Sequence, residues 1–387
     1  MKIVSRQVRR RRNSSWRQSA AAMVYNARLD RLNSGSRSLF RSEKPMQLDA
    51  FIRRMPKVEL HVHLEGSIQP ETLLQLAERN NVSLPATTVE GLREWYTFTD
   101  FAHFIEIYIA ISSCICSAED IELIAREFLR GQAAQNILHS EVTFTPFTHF
   151  SLNRHIPFDA QFAALSRARE WAAKELGVSV GWVLDISRNV RPIEHGLTVA
   201  DWAIGGMDNG VVALGLGGPE IGHPPELFES AFDRARAAGL ASVPHAGETV
   251  GPESIWGALR SLRAQRIGHG VRCLEDSALV AELRARQTPL EVCPTSNVCL
   301  GVAASIAEHP LPRLLDAGLY VTINSDDPPM FNTTLTDEYL KIAAAFGFGV
   351  ETIKQLVLNA LRASLLPEVR RLEMEARFQR EFAEVQP

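Results

Sequence analysis

Eight short β-rich runs, separated by amphipathic stretches, constrain this chain more than any other feature. They fall at 58–62, 139–144, 179–186, 211–217, 241–245, 266–269, 289–293 and 320–324. Between them, 118–135, 159–176, 225–238, 254–263 and 276–286 carry the apolar spacing of helices that bury one face. Strands that alternate with helices are joined by crossovers and therefore run parallel. Eight such units close naturally as a (β/α)8 barrel, an α/β fold of the TIM type. The region 68–138 is too long for one crossover, and 70–80, 88–95, 101–112 and 118–135 read as successive helices. They would form a helical insertion above the barrel mouth after strand 1. The tail, 350–382, reads as C-terminal helices packed on the outside.

Composition narrows the class. A 45% hydrophobic and 22% charged content is that of a globular protein. No apolar run approaches the roughly 20 residues that span a bilayer, so a membrane is not an expected partner. Five scattered cysteines do not make a disulfide framework and read as reduced thiols of a cytoplasmic protein. Residues 1–45 hold 12 Lys and Arg against 2 Asp and Glu, including Arg9, Arg10, Arg11 and Arg12. Such a segment buries too little surface to fold alone, and it has no secretory apolar core. It reads as a disordered basic extension, with Met46 as the expected true start and 46–387 as a single folded domain. A transit peptide or a nucleic-acid-binding arm would share its composition. The acidic body speaks against nucleic acid as a partner.

The chemistry lies at the strand ends. Successive strand side chains alternate faces, so His61 and His63 aim two imidazoles at one point. His245 and then Glu248 follow strand 5, His269 follows strand 6, and Asp326 and Asp327 follow strand 8. Gly217 and Gly218 end strand 4. In a barrel of this kind the carboxyl ends of all strands share one face, where the active site forms. Taken singly, each residue could be a turn former or a helix cap. Three neutral imidazoles and one carboxylate would leave a zinc ion at net +1 and able to bring the pKa of a bound water to about 7. Glu248 is placed as a proton carrier, although it could also cap the next helix. None of the lysines (Lys2, Lys44, Lys57, Lys174, Lys341, Lys354) ends a strand, which disfavours a lysine-bridged pair of metals.

Five motifs then carry a resemblance that spans about residues 50 to 365. Met55-Pro56-Lys57-Val58-Glu59-Leu60-His61-Val62-His63-Leu64-Glu65-Gly66-Ser67, His245-Ala246-Gly247-Glu248, Arg266-Ile267-Gly268-His269-Gly270, Glu291-Val292-Cys293-Pro294-Thr295-Ser296-Asn297 and Asn324-Ser325-Asp326-Asp327-Pro328 resemble those of the adenosine deaminase family. The resemblance implies one Zn2+ per chain held by His61, His63, His245 and Asp326. It implies that His269 orients the attacking hydroxide and that Glu248, protonated, donates to purine N1. It places Asp327 at N7, the Gly218 N–H at N3, Glu65 at the ribose hydroxyls, and His63 beside the substrate as well. C6 of an aminopurine is a poor electrophile, so a strong nucleophile and protonation at N1 are both required.

The implied reaction is hydrolytic deamination of adenosine and 2′-deoxyadenosine to inosine and ammonia, in purine salvage. The implied partners are a small purine nucleoside and water, and nothing in the chain sets an oligomeric state. Gly217-Gly218-Pro219-Glu220 departs from the usual adenosine deaminase pattern on the purine and sugar side. Adenine deaminases of the family tend to carry Asp-Ser there and Asp-His-Gly at 268–270, so free adenine is disfavoured. The Gly-Gly-Pro-Glu stretch also resembles relatives that deaminate 6-aminodeoxyfutalosine in menaquinone synthesis, which is the alternative reading. Phe98, Phe101 and Phe104 would then be a lid over a 5′ extension or simply an aromatic core, and Arg154 or His155 could meet an anionic end. A two-metal amidohydrolase and a binding-only relative are the competing classes; the intact strand-end set argues against the latter.

Overall fold

The computed structural model describes residues 45–151 and 155–385. The expectations for the basic extension and for Arg154 lie outside these residues. Helix α1 (Pro45–Arg54) leads into β1 (Lys57–His63). The insertion follows as α2 (Pro70–Asn80), α3 (Val89–Trp95), α4 (Phe101–Ser112) and α5 (Ala118–Ala134). Then come β2 (Ile137–Phe144), α6 (Pro146–Ser151), α7 (Phe158–Glu175), β3 (Ser179–Ser187), α8 (His195–Gly205) and β4 (Val211–Gly217). The chain continues with α9 (Glu229–Ala237), β5 (Ala241–Ala246), α10 (Pro252–Arg260), β6 (Ile267–His269), α11 (Ser277–Arg286), β7 (Leu290–Val292) and α12 (Pro294–Cys299). It ends with α13 (Leu311–Asp316), β8 (Val321–Ile323), α14 (Leu335–Phe346), α15 (Val350–Ala363) and α16 (Glu368–Val385). No described helix is long and apolar enough to cross a membrane.

The strands pair in chain order, β1 to β8, and each ladder is parallel. This is the expected (β/α)8 barrel with its insertion and terminal helices. The last seam closes differently from the rest. β8 meets β1 through a single parallel bridge, Val62 to Asp326. There the His63 N–H donates to the Asp326 carbonyl at 2.9 Å and the Asp326 N–H to the His61 carbonyl at 3.2 Å. One turn lower, the Asn324 side-chain oxygen accepts from the Leu60 and His61 N–H groups at 2.9 and 3.1 Å. A side chain thus stands in for ladder bonds that the short strand cannot supply.

Alternation sorts the strand residues. Leu184, Ile186, Leu214 and Leu216 face the helices and join one apolar core, while Val183, Ala213, Ala241 and Val243 meet inside the barrel. The interior also holds an ionic cluster. Arg266 lies 2.6 Å from Glu141 and 2.5 Å from Glu291, with all three buried. Charges this deep are tolerable only when paired.

Caps explain the helix starts read from sequence. Ser117 and Asp120 form a reciprocal capping box on α5, and Asp100 caps α4 through the His103 N–H. The expected helix at 225–238 divides into a 3-10 turn, Pro225–Phe228, and α9. α6, α12 and α13 span only 6 residues each, too few to show a period.

Candidate active site

His61 and His63 end β1, His245 lies in β5, His269 ends β6, and Asp326 follows β8; all five are buried. Their side chains converge. His63 Nε2 stands 3.2 Å from His245 Nε2 and 3.3 Å from Asp326 Oδ1, and His61 Nε2 stands 3.4 Å from the same oxygen. Zinc bonds of about 2.0–2.1 Å in a tetrahedron set ligand atoms about 3.3–3.4 Å apart. His61 Nε2 is buried and has no hydrogen-bond partner among the described residues. The donors fit a metal ion such as zinc: ligand atoms of His61, His245, His269 and Asp326 lie within 4.8 Å of one another, and so do those of His63, Asp326 and Asp327. His269 Nε2 lies farther out, 3.9 Å from Asp326 Oδ2 and 3.7 Å from Glu248 Oε1, beside such an ion. His269 and Asp326 both sit in the left-handed backbone region, at φ 61° and 66°. That conformation costs about 1–3 kcal/mol for a residue with a side chain and collects at functional sites.

A second layer aims these side chains. The His61 Nδ1–H donates to Glu291 Oε2 at 2.9 Å, and the other Glu291 oxygen meets Arg266. The His245 Nδ1–H donates to the Leu216 carbonyl at 3.1 Å, and Ser296 donates to Asp326 Oδ2 at 2.7 Å. Each of these imidazoles is thereby left with Nε2 toward the centre.

The tautomer of His269 follows from a longer chain of bonds. The Leu311 N–H donates to His309 Nδ1 at 3.1 Å, so the proton of neutral His309 is on Nε2. His309 Nε2 donates to Asn297 Oδ1 at 3.0 Å, which orients the amide. Asn297 Nδ2 then donates to His269 Nδ1 at 3.3 Å. His269 consequently presents Nε2–H to the site and acts there as a donor. Burial brings both His309 and His269 down to about 4, which keeps both rings neutral at pH 7.

Electrostatics separate the carboxyls. Burial, then the charges of Asp326 and Glu220, hold Glu248 well above the usual carboxylate range. Burial opposes ionisation of Asp326 too, but His61 and His63 overcome it and hold that group well below its usual value. Burial and the adjoining Asp326 charge push Asp327 well up. Burial alone would lower His61, and the Asp326 and Glu291 carboxylates reverse this to about 10. The site thus attracts positive charge at one end and keeps a neutral acid at the other.

A cavity of about 890 Å³, counting its open mouth, lies over this cluster. Its floor includes His63, Glu248, His269, Asp327 and Gly218. One face of α4 forms a wall: Phe101, Phe104, Ile105, Tyr108 and Ile109 recur at helical spacing and all line the cavity. Phe98 packs behind that wall, edge-on to Phe104 and Phe331 at 5.4 and 5.7 Å. All three rings belong to the apolar packing, as the aromatic-core reading expects, and Phe101 and Phe104 also line the cavity. Among the described residues no Lys or Arg lines the cavity. His155 is exposed and bonds to the Phe150 carbonyl at 2.8 Å, away from the cavity lining.

Two expectations are altered by the geometry. Glu65 does not line the cavity: its carboxylate accepts from the Thr145 N–H at 2.9 Å and from His149 at 3.0 Å, with the Tyr108 hydroxyl 3.4 Å away. Glu220, in the segment read as touching the purine, turns away from the cavity. Its carboxylate accepts the N–H groups of Gly247, Glu248 and Thr249 at 2.8–2.9 Å, and so fixes the loop that carries Glu248. Asp327 packs against Gly66, where any side chain would overlap its carboxylate. Sequence reasoning assigned no role to Glu291, Asn297, His309 or Asp185. A carboxylate in the middle of an apolar strand, as in Leu184-Asp185-Ile186, is the signal that could have found the last.

A polar cluster of this kind at the strand-end face of a parallel barrel defines a metal-dependent hydrolase of the amidohydrolase type. The sequence signature described as adenosine deaminase matches residues 56–380, and the chain belongs to that family. It is 44% identical over 328 residues to an aminodeoxyfutalosine deaminase of Streptomyces coelicolor, covering 83% of each chain. The crystal structure of an adenine deaminase from Arthrobacter aurescens superposes with a TM-score of 0.80 at 35% identity, covering 85% of this chain and 98% of that one. A zinc-bound amidohydrolase from Burkholderia ambifaria superposes with a TM-score of 0.81 at 25% identity, covering 91% and 96%.

Proposed function

We propose that this chain hydrolyses the C6 amino group of a purine nucleoside extended at its 5′ end, with 6-aminodeoxyfutalosine as the substrate. The observation that carries this reading is the apolar wall of α4, continuous with the polar floor. Adenosine would occupy the floor and leave that wall uncovered. An aromatic 5′ extension would cover it, and its carboxylate would reach the open mouth, since no cation lines the interior among the described residues. The name of the Streptomyces coelicolor relative supports the same choice. Adenosine, the first substrate the motifs suggest, becomes the second reading.

His61, His63, His245 and Asp326 would hold one zinc ion. When bound, zinc brings a ligand water near a pKa of about 7 and so supplies the nucleophile at neutral pH. Glu248, kept neutral by burial, donates its proton to N1 and makes C6 electrophilic. His269 offers its Nε2–H on the side where oxygen adds, and stabilises the charge that collects there. The Gly218 N–H and Asp327 orient the ring through N3 and N7. Oxygen from water ends on C6 and ammonia leaves.

The test is steady-state turnover of 6-aminodeoxyfutalosine, adenosine and adenine by one zinc-quantified preparation. A tenfold or greater advantage in kcat/KM for the extended nucleoside is expected. A preference for adenosine or for adenine would overturn the assignment.

A further inference from the structure

The Asp185 carboxylate is buried yet lines the cavity, and its Oδ1 has no hydrogen-bond partner among the described residues. It stands on β3 opposite Gly215 of β4, and Ser187 stands opposite Gly217. A side chain at Gly215 or Gly217 would collide with the Asp185 carboxylate. β4 is therefore bare at this level, and the acid lies across the floor in the space its neighbours leave. Gly218, the next residue of that segment, also lines the cavity, with Asn189 against it. The described cations form no ion pair with Asp185. The nearby Arg188 gives Nη2 to the carbonyls of Leu216 and His245, at 3.2 and 2.6 Å, and its buried Nε and Nη1 make no hydrogen bond to Asp185 or to any other described residue.

An acceptor this deep is costly unless a donor reaches it. If the Gly218 N–H meets purine N3, the group next to N3 on the ligand is the N9 substituent. The donors a nucleoside offers there are its sugar hydroxyls. We infer that Asp185 is a specificity-determining residue that accepts a hydrogen bond from a ribose hydroxyl and so selects a ribonucleoside over a deoxyribonucleoside. The inference rests on the nucleoside reading above. It also assigns to β3 the sugar contact that Glu65, turned toward Thr145 and His149, does not make. Burial pushes Asp185 up to about 7, partly offset by His63 and Arg188, and a hydroxyl donor would favour its ionised form.

The experiment compares wild type, Asp185→Ala and the near-isosteric Asp185→Asn on 5′-deoxyadenosine and on its 2′-deoxy and 3′-deoxy forms. Zinc content and circular dichroism are matched beforehand. Asp185→Ala is expected to lose about ten- to hundredfold in kcat/KM on the full ribonucleoside, chiefly through KM. The loss should vanish on the analogue that lacks the bonded hydroxyl. Asp185→Asn retains an acceptor oxygen and should fall between. An equal loss on all three substrates, or a loss confined to kcat, would overturn the inference while leaving the nucleoside reading in place. Wild type that turns over adenine but no nucleoside would overturn both.

Discussion

His309 decides which nitrogen of His269 carries the proton, although the two rings do not touch. The Leu311 N–H donates a hydrogen bond to His309 Nδ1 at one end, and Asn297 relays the resulting orientation to His269 Nδ1. The catalytic assignment of His269 as a donor rests on that relay. His309→Leu should therefore lower kcat by about tenfold or more with KM little changed. His309→Gln, whose amide can still donate to Asn297, should recover part of the loss. Nitrogen NMR of labelled histidine should show His269 protonated on Nε2 in wild type and mixed in the leucine variant. An unmixed Nε2 tautomer in that variant would remove His309 from the relay.

Glu248→Gln should retain zinc and bind nucleoside while losing about 10²–10⁴-fold in kcat, because the amide can donate a hydrogen bond to N1 but cannot protonate it. Turnover and elemental analysis of the same sample check this. Wild-type kcat in the variant contradicts the role.

Metal affinity should track the second layer as well as the ligands. Asp326→Ala should lose zinc outright. Glu291→Gln, which weakens the hold on His61 Nδ1, should weaken zinc binding by about ten- to hundredfold. Competition with a fluorescent chelator measures both, without reference to activity.

Acid should unfold the barrel through its ionic interior. Burial raises the Glu141 carboxyl, but the Arg266 guanidinium more than reverses this and holds it at about 2, against an ordinary 4.5. A pKa depressed in the folded state gives stability that is fully present above the unfolded value. It is lost as pH falls from about 4.5 toward 2, and amounts to something on the order of 3 kcal/mol. Urea midpoints of wild type and Glu141→Gln should differ at pH 7 and converge in acid. Parallel curves would place the acid-labile charge elsewhere.

The loop bearing Glu248 should depend on Glu220. Glu220→Gln replaces an anion that accepts the four consecutive N–H groups of residues 247–250, and should lower both kcat and the melting temperature while zinc content holds. A variant with unchanged kcat would show that the loop keeps its shape without the charge.

Elements with their own local signal were legible in the chain. β4 was read with its observed bounds, Val211–Gly217, because its apolar run is broken by glycines. His61 and His63 could be placed on one side of β1 from alternation alone. What stayed hidden depends on side-chain direction across the barrel. Glu220 lies within one residue pair of Gly218, yet the two face opposite ways, and spacing carries no sign of that. Glu65 reads as a site residue by position but is taken up by Thr145 and His149 from the next βα unit. Asn297 and His309 become meaningful only when a backbone amide 14 residues beyond Asn297 is seen to orient them both.

Seven of the eight joints in the barrel are ladders, and the eighth is fastened at Asp326, the residue that also reaches the ion site. An ion gripping His61, His63 and Asp326 would work as a clasp on a bracelet, tying the first strand to the last at the place where backbone bonding is thinnest. Chelation should then loosen the ring as well as end turnover, and the amides of His63 and Asp326, which bond across that seam, should be the first strand-end amides to exchange with deuterium.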